Sequence, residues 1–188
     1  AYFVTFEEKD KLLDTLFPDG KINRALVGKS AKVIADAAGF SIPEGTRAIV
    51  AEAVGAGKAD RICTEKMFPV MGCLGFDNFE EAIDIAKTNL SMEGNGHTAG
   101  IHSNDQANII KAGTELSVSR VIVNAICATT AGGSIQNGLS VTNTLGCGSW
   151  GNNSISENFT YKHLLNITRI APLSARIHVP SDKEIWED

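Results

Sequence analysis

The segment that most constrains the fold is residues 46–54, T-R-A-I-V-A-E-A-V, which is apolar on both faces except for one carboxylate. A strand that is apolar on both faces is typical of a parallel sheet covered by helices. Residues 70–76, 98–103 and 118–127 have the composition of further strands. Because helix signals alternate with these segments, the chain is predicted to be an α/β protein with helices on both faces of a sheet.

Four helices are predicted where a capping residue precedes an apolar face with helical spacing. They cover residues 6–17, 30–38, 77–90 and 105–113. Thr5 and Glu8 have the spacing of a capping box, and a second capping box is predicted in residues 77–80. Ser30 is the predicted N-cap of the second helix, which Gly39 ends in a left-handed conformation.

Charge and cysteine content exclude several classes of protein. The net charge is −5 and the basic residues are scattered singly, which argues against a nucleic-acid surface. The longest apolar runs fall short of the ~18 residues that a membrane span needs. The four cysteines form no C-x-x-C pair, so we expect reduced thiols in a cytoplasmic protein and neither a disulfide framework nor a metal site.

Three charged or titratable residues are candidates for chemistry. Glu52 is the lone carboxylate of the apolar segment, and burial would favour its protonated form and fit it for proton transfer; alternatively it faces a cavity or pairs with a base such as Arg47. His97 lies between glycines at the entry to a predicted strand, where sites are common, although a single histidine is more often a surface or structurally hydrogen-bonded side chain. Glu65 precedes a strand and is able to accept hydrogen bonds from sugar hydroxyls, or is a solvated loop charge.

Residues 131–154 contain six glycines among Ser, Thr and Asn and have little periodicity. Loops of this length are uncommon unless they are functional or disordered, so the segment is predicted to be a site loop. Cys147, between two glycines, has the best spacing for a nucleophile. No basic residue lies near it in sequence to favour the thiolate, so a structural role is the preferred interpretation.

Residues 145–158, L-G-C-G-S-W-G-N-N-S-I-S-E-N, followed by K-H-L-L-N at 162–166, closely resemble the end of the CoA-acylating aldehyde dehydrogenases. Shorter segments match the same family in the same order, so the resemblance covers nearly the whole chain. They are residues 96–103, 119–124 and 132–134. Residues 43–58 and 87–94 look most like the branch that acts on succinate semialdehyde.

The resemblance implies a three-layer α/β/α sandwich of the aldehyde dehydrogenase type, present here as a partial catalytic domain. Residues 1–160 would be its C-terminal part, and residues 161–188 a tail with an oligomerisation strand, in a homodimer or homotetramer. It also implies that a cysteine thiolate attacks the aldehyde, hydride passes to NAD(P), and CoA resolves the thioester, without a metal. None of the four cysteines matches the family's nucleophile motif, so the nucleophile and most of the dinucleotide-binding domain are expected upstream.

The resemblance assigns roles to individual residues. Glu65 and Pro69 match the Glu-x-Phe-Gly-Pro segment whose glutamate contacts the nicotinamide ribose, although Met67 and Phe68 replace the Phe-Gly pair. Glu52 matches an acidic strand end and His97 a Gly-His-Thr/Ser motif, and both are expected to be catalytic residues at the aldehyde and CoA end.

Ser134 and Cys147 are expected to line the substrate and CoA pocket. The hydroxyl and amide groups of the loop around Ser134 are predicted to receive the distal carboxylate of succinate semialdehyde; alternatively this loop packs against a neighbouring subunit. An acetaldehyde- or propionaldehyde-type acylating dehydrogenase, and a non-catalytic binding or assembly module of the same fold, are the alternative functions.

Overall fold

A computed structural model describes residues 1–174 and 176–187, in which five short strands form two parallel sheets. In the first sheet, β2 (Ile49–Glu52) lies between β1 (Tyr2–Phe3) and β3 (Val70–Cys73); in the second, β4 (Gly96–Ile101) pairs with β5 (Val118–Val123). The α/β class is therefore confirmed. The single sheet is not: within the described residues no ladder joins β3 to β4. Apolar patterning locates strands, but packing of the whole chain decides which strands pair.

The four predicted helices are present as α1 (Phe6–Leu16), α2 (Ala31–Ala37), α3 (Phe79–Met92) and α4 (Gln106–Glu115). Two short helices, α5 (Cys127–Thr130) and α6 (Asp182–Trp186), were not predicted. Single 3₁₀ turns cover Pro18–Gly20, Gly57–Ala59, Arg61–Cys63, Ser149–Gly151 and Tyr161–Leu164.

Three helix starts follow from local hydrogen bonds. Thr5 Oγ1 accepts from the Glu8 N–H while the Glu8 carboxylate accepts from the Thr5 N–H at 2.9 Å, so the capping box is confirmed. Ser30 caps α2 as predicted. At α3 the cap is Asn78, whose side chain accepts from the Glu81 N–H, so the predicted capping box in residues 77–80 is not formed. The Glu81 carboxylate accepts instead from the N–H of Asp77, the residue before the cap.

The strand predicted over residues 118–127 ends early, at Val123. Asn124 has a left-handed backbone with φ of 52°, which an extended strand cannot continue through. Its side chain binds the Ser103 backbone at both N–H and C=O, and Cys127 then begins α5. The turn is therefore fixed by a polar side chain that the apolar pattern does not reveal.

The larger apolar core lies between α1, α2 and the first sheet. Its fully buried large side chains are Leu12, Leu16, Ile34, Ile49 and Ile62. A smaller core joins α3 and α4 to the second sheet through Ile83, Ala112, Leu116 and Val118. Because truncation of one buried Leu or Ile costs about 2–5 kcal/mol, the first core dominates the stability of the described chain.

Much apolar surface is left exposed. The chain exposes 13032 Å² where a compact protein of 20.0 kDa exposes about 8,700 Å². Exposed large apolar side chains are frequent after residue 160, among them Ile170, Leu173, Val179 and Trp186. None of the helices in the described part is long and apolar enough to cross a membrane.

Candidate active site

A cavity of about 480 Å³ lies where residues 62–66, the C-terminal half of α3 and the start of β4 meet. Its polar groups belong to Glu65, Lys66, Asn89, Glu93, His97 and Thr98. Its apolar side chains are those of Ile62, Leu74, Ala86, Leu90, Ala99 and Leu116. The structure thus brings together Glu65 and His97, two of the residues singled out in the sequence. This cavity is the candidate site.

Glu65 lies on the rim of the cavity. Its backbone N–H donates to the Glu93 carboxylate at the end of α3, whereas its own exposed side chain accepts no hydrogen bond within the described chain. Lys66 beside it is half-buried. Burial lowers the pKa of the Lys66 ammonium, against the opposing effects of Cys63 and Glu93. The rim therefore offers one uncommitted carboxylate next to a partly desolvated amine.

His97 is the second residue of β4, and its imidazole is exposed. Its Nδ1 lies 3.0 Å from the Thr98 hydroxyl. Its carbonyl oxygen accepts a hydrogen bond from Arg120 Nη2 at 3.1 Å. The backbone of His97 is thus tied to β5, while the ring can reach a ligand in the cavity.

Arg120, on β5, was not among the predicted site residues, and it organises this end of the second sheet. Its side chain is buried and donates to Thr98 Oγ1 at 3.2 Å, His97 O at 3.1 Å and Gly146 O at 2.9 Å. It also donates to Asn158 Oδ1 at 3.3 Å. Because these contacts occupy the guanidinium, Arg120 is not available as a cation for the substrate.

Asn158 extends this network into the glycine-rich loop. It is 4% exposed, and its Nδ2 donates to the backbone oxygens of Ala131 at 3.1 Å and Ser140 at 2.8 Å. Leu145 and Asn158 also form an isolated antiparallel bridge. The site loop predicted over residues 131–154 therefore owes its shape to polar side chains at its core.

Cys147 packs directly on the start of β4. Gly96, with φ of +87°, lies so close to the Cys147 backbone oxygen that no Cβ would fit between them. The Cys147 N–H donates to Asn153 Oδ1 at 2.9 Å, and its thiol is half-buried. Cys147 therefore packs on Gly96, the residue next to His97, but it does not line the cavity. This position is in keeping with a structural role.

Of the interpretations of Glu52, burial is excluded, and the alternative in which Glu52 faces a cavity is the one that the structure has. Its side chain is exposed at the end of β2 and lines a different, smaller cavity with Lys9. The buried charges of this region are Lys9 and Asp60, 2.5 Å apart, and Lys9 also donates to the Glu52 carbonyl oxygen at 2.6 Å. Lys9 therefore meets the backbone of Glu52 and leaves its carboxylate in solvent.

The Asp60 carboxylate has three donors. Burial alone would raise the pKa of Asp60, but hydrogen bonds from Lys9 Nζ and from the N–H groups of Ile62 and Val54 outweigh it and lower the pKa. Asp60 therefore stays ionised and joins α1 to the segment after β2.

The remaining predicted residues lie elsewhere. Pro69 lines a neighbouring cavity of about 720 Å³, which Lys66 shares. The Ser134 hydroxyl accepts from the Gln136 N–H within its own loop at 3.1 Å, and Ser134 does not line the Glu65–His97 cavity. Burial raises the pKa of the Cys63 and Cys127 thiols, so neither is activated. In the described chain, no group of three or more His, Cys, Asp or Glu side chains could hold a metal ion.

The chain is similar, over nearly all of its length, to a part of the acylating aldehyde dehydrogenases. One similar structure is an acetylating aldehyde dehydrogenase from Geobacillus thermoglucosidasius, with TM-score 0.84 and 35% identity. The match covers 95% of this chain and 39% of the Geobacillus chain. This chain is 55% identical over 187 residues to the succinate-semialdehyde dehydrogenase (acetylating) of Clostridium kluyveri. That match takes in 99% of this chain and 41% of the relative. The resemblance predicted from the sequence is confirmed.

A more distant neighbour carries ligands. The propionaldehyde dehydrogenase of Rhodopseudomonas palustris, solved with bound CoA and an acylated cysteine, is 24% identical, with TM-score 0.65 over 81% of this chain and 34% of its own. At this identity the likeness shows the fold. No protein-family model matches the chain. The chain spans about two-fifths of the length of the Clostridium and Geobacillus proteins.

Proposed function

We propose that this chain is part of an NAD(P)-dependent, CoA-acylating aldehyde dehydrogenase that interconverts succinate semialdehyde and CoA with succinyl-CoA. The observation that carries the proposal is the single cavity that joins Glu65 and His97 in a chain 55% identical to an acetylating succinate-semialdehyde dehydrogenase. The fold alone would not identify the reaction, because one fold supports many functions.

The rim residue Glu65 fits a nucleotide cofactor. Its carboxylate is exposed and has no hydrogen-bond donor within the described chain, as a group that binds ribose hydroxyls requires. The N–H contact with Glu93 holds its backbone in place. Nicotinamide, when bound, supplies a hydride acceptor, and Glu65, with Pro69 nearby, would hold its ribose.

His97 serves the opposite side of the cavity in this proposal. An exposed imidazole on a fixed backbone is able to exchange a hydrogen bond with the oxygen of an aldehyde or thioester. Glu52 lies outside this cavity, so we assign it no step here. We infer that the cysteine nucleophile comes from the rest of the protein, since none of the four cysteines matches the family's nucleophile motif. Burial also raises the pKa of the Cys63 and Cys127 thiols.

The exposed apolar surface supports assembly. The chain exposes about half as much surface again as a compact protein of its mass, and large apolar side chains are exposed within residues 161–174 and 176–187. We propose that the rest of the enzyme and a second subunit cover this surface, and that the tail contributes to a homo-oligomer in the cytoplasm.

Kinetics of the full-length enzyme test the site. Glu65→Gln is expected to raise KM for NAD(P) or slow hydride transfer by about 10-fold or more, because a charge-assisted hydrogen bond contributes about 1.5–3 kcal/mol. His97→Ala is expected to lower kcat for the aldehyde. Glu44→Gln and His102→Ala, which change the same residue types outside the cavity, should leave the kinetics unaltered. Equal effects in the control variants would contradict the proposed site.

The substrate is tested separately by comparing kcat/KM for succinate semialdehyde and butyraldehyde, which lacks the carboxylate. We expect a clear preference for succinate semialdehyde, since a pocket that pairs a carboxylate rejects an analogue without one. A preference for butyraldehyde or acetaldehyde would favour an acetaldehyde- or propionaldehyde-type enzyme. Absence of any CoA-dependent reduction of NAD(P) by the full-length protein would favour a non-catalytic module.

A further inference from the structure

The Thr98 hydroxyl lies between a group that only donates hydrogen bonds and the ring of His97. Arg120 Nε is 3.2 Å from Thr98 Oγ1, and His97 Nδ1 is 3.0 Å from the same oxygen. A guanidinium has donors and no acceptor, so Thr98 Oγ1 must accept from Arg120. The hydrogen of the Thr98 hydroxyl is therefore free to be donated to His97 Nδ1.

The contact with Arg120 also sets the direction of the hydrogen bond between Thr98 and His97. In the described chain, Thr98 Oγ1 has no hydrogen-bond partner besides Arg120 and His97. If His97 Nδ1 carried the proton, both Arg120 and His97 would donate to Thr98 Oγ1, and the hydrogen of the hydroxyl would have no acceptor within the described chain. When the hydroxyl donates to Nδ1, both groups are satisfied. The proton of the neutral imidazole is then on Nε2.

The donor behind Thr98 is fixed in place. Thr98 and Arg120 are direct cross-strand partners in the β4–β5 pair. The guanidinium is buried and is also held by Gly146 O and Asn158 Oδ1. Arg120 also binds the His97 carbonyl oxygen, so one side chain holds both the backbone of His97 and, through Thr98, its ring.

We propose that Thr98 is a positioning residue which, with Arg120 behind it, holds the His97 imidazole with Nδ1 as a hydrogen-bond acceptor and presents the Nε2–H to a ligand in the cavity. His97 then acts on an aldehyde or thioester oxygen as a hydrogen-bond donor. The catalytic consequence rests on the proposed function of His97, whereas the tautomer does not.

The tautomer is measured by ¹⁵N NMR of the histidine-labelled full-length protein at about pH 9, where histidine side chains are neutral. His97 is assigned from the signal lost in His97→Gln. We expect Nδ1 to give the signal of an unprotonated nitrogen and Nε2 that of a protonated one. In Thr98→Val, which keeps the shape and removes the hydroxyl, both signals should move towards the average of two tautomers. Thr98→Ser should keep the original signals.

Thr114→Val is the matched control, because the Thr114 hydroxyl binds only its own helix. It should leave the His97 signals unchanged. A protonated Nδ1 in the unmodified protein would overturn the proposal. Unchanged signals in Thr98→Val would overturn it as well, since the hydroxyl would then have no part in setting the tautomer.

Kinetics separate this inference from the proposed function. In Thr98→Val we expect kcat to fall about 3- to 10-fold, the effect of one lost hydrogen bond, with KM for NAD(P) unchanged and Thr98→Ser close to the original enzyme. In a His97→Ala background the Thr98→Val change should have no further effect. If His97→Ala lowers kcat and Thr98→Val does not, the positioning role is overturned. If His97→Ala itself has no effect, the proposed function of His97 fails while the tautomer measurement still stands.

Discussion

The first sheet and the second are held together by different forces. Around β1–β3, helices α1 and α2 bury a set of large aliphatic side chains, and the buried charges pair directly with each other. Around β4 and β5 the apolar core is small, and the loop of residues 131–158 is held by Arg120 and Asn158, whose partners are mostly backbone oxygens. The first region therefore provides stability, and the second provides the placement of His97.

The largest effect is expected from Lys9→Met in the first region. Removing Lys9 leaves the Asp60 carboxylate buried without its counter-charge, a change that costs about 3–5 kcal/mol when both partners are buried, as they are here. The loss of stability is measured by unfolding the full-length protein in urea. The rate of hydrogen exchange in residues 1–74 shows whether the loss lies in the first region.

Two further variants sharpen this test. Lys9→Met combined with Asp60→Asn should recover part of the loss, because the amide removes the orphaned charge. The recovery should be partial, since the N–H groups of Val54 and Ile62 bind different carboxylate oxygens and the amide keeps only one oxygen. Lys11→Met, which breaks an exposed pair with Glu7 on the same helix, should have no measurable effect. A Lys9→Met protein as stable as the original would show that the ion pair does not hold the first region.

A smaller and more local effect is expected from Asn158→Leu in the second region. This change leaves the oxygens of Ala131 and Ser140 without their donor, which costs about 1–3 kcal/mol for each buried group left unpaired, partly offset by water. Hydrogen exchange should accelerate in residues 131–158 and at β4, with residues 1–74 unchanged. Asn143→Leu, an exposed asparagine of the same loop, is the control. Equal acceleration in both regions would show that they unfold as one unit.

The first region was the more predictable from the sequence. Its helices α1 and α2 are predicted by the capping residues Thr5 and Ser30 and by apolar spacing, which are local signals. Both helices begin and end within one residue of the predicted positions. What failed there was the environment of Glu52. An isolated carboxylate in an apolar strand is compatible with burial, but Glu52, the last residue of β2, has its side chain exposed while its neighbours Ala51 and Ala53 belong to the core.

The site itself was only half predictable. Glu65 and His97 were found from local sequence and resemblance, and the cavity brings them together. Arg120 was not predicted as a site residue, and Asn158 was only part of a matching segment. Their contact spans 38 positions in sequence, and polar contacts at that range leave no periodic signal. An arginine within the apolar segment 118–123 is the signal that pointed to a buried, fully bonded side chain, because such a residue is rarely buried unless it is paired.

The smallest effect is expected when the N-cap residue of a helix is changed to alanine, once in a packed helix and once in an exposed one. Thr5 and Ser181 both close capping boxes, on α1 and α6. Thr5→Ala should cost about 1 kcal/mol of global stability, because α1 packs on the first sheet and unfolds with it. Ser181→Ala should leave global stability unchanged and only accelerate exchange within residues 182–186, since none of the side chains of α6 is buried and the helix can open alone. If Ser181→Ala instead destabilised the full-length protein as much as Thr5→Ala, α6 would have to be packed against another part of the enzyme or a second subunit, and the exposed tail would be an interface in the assembled protein.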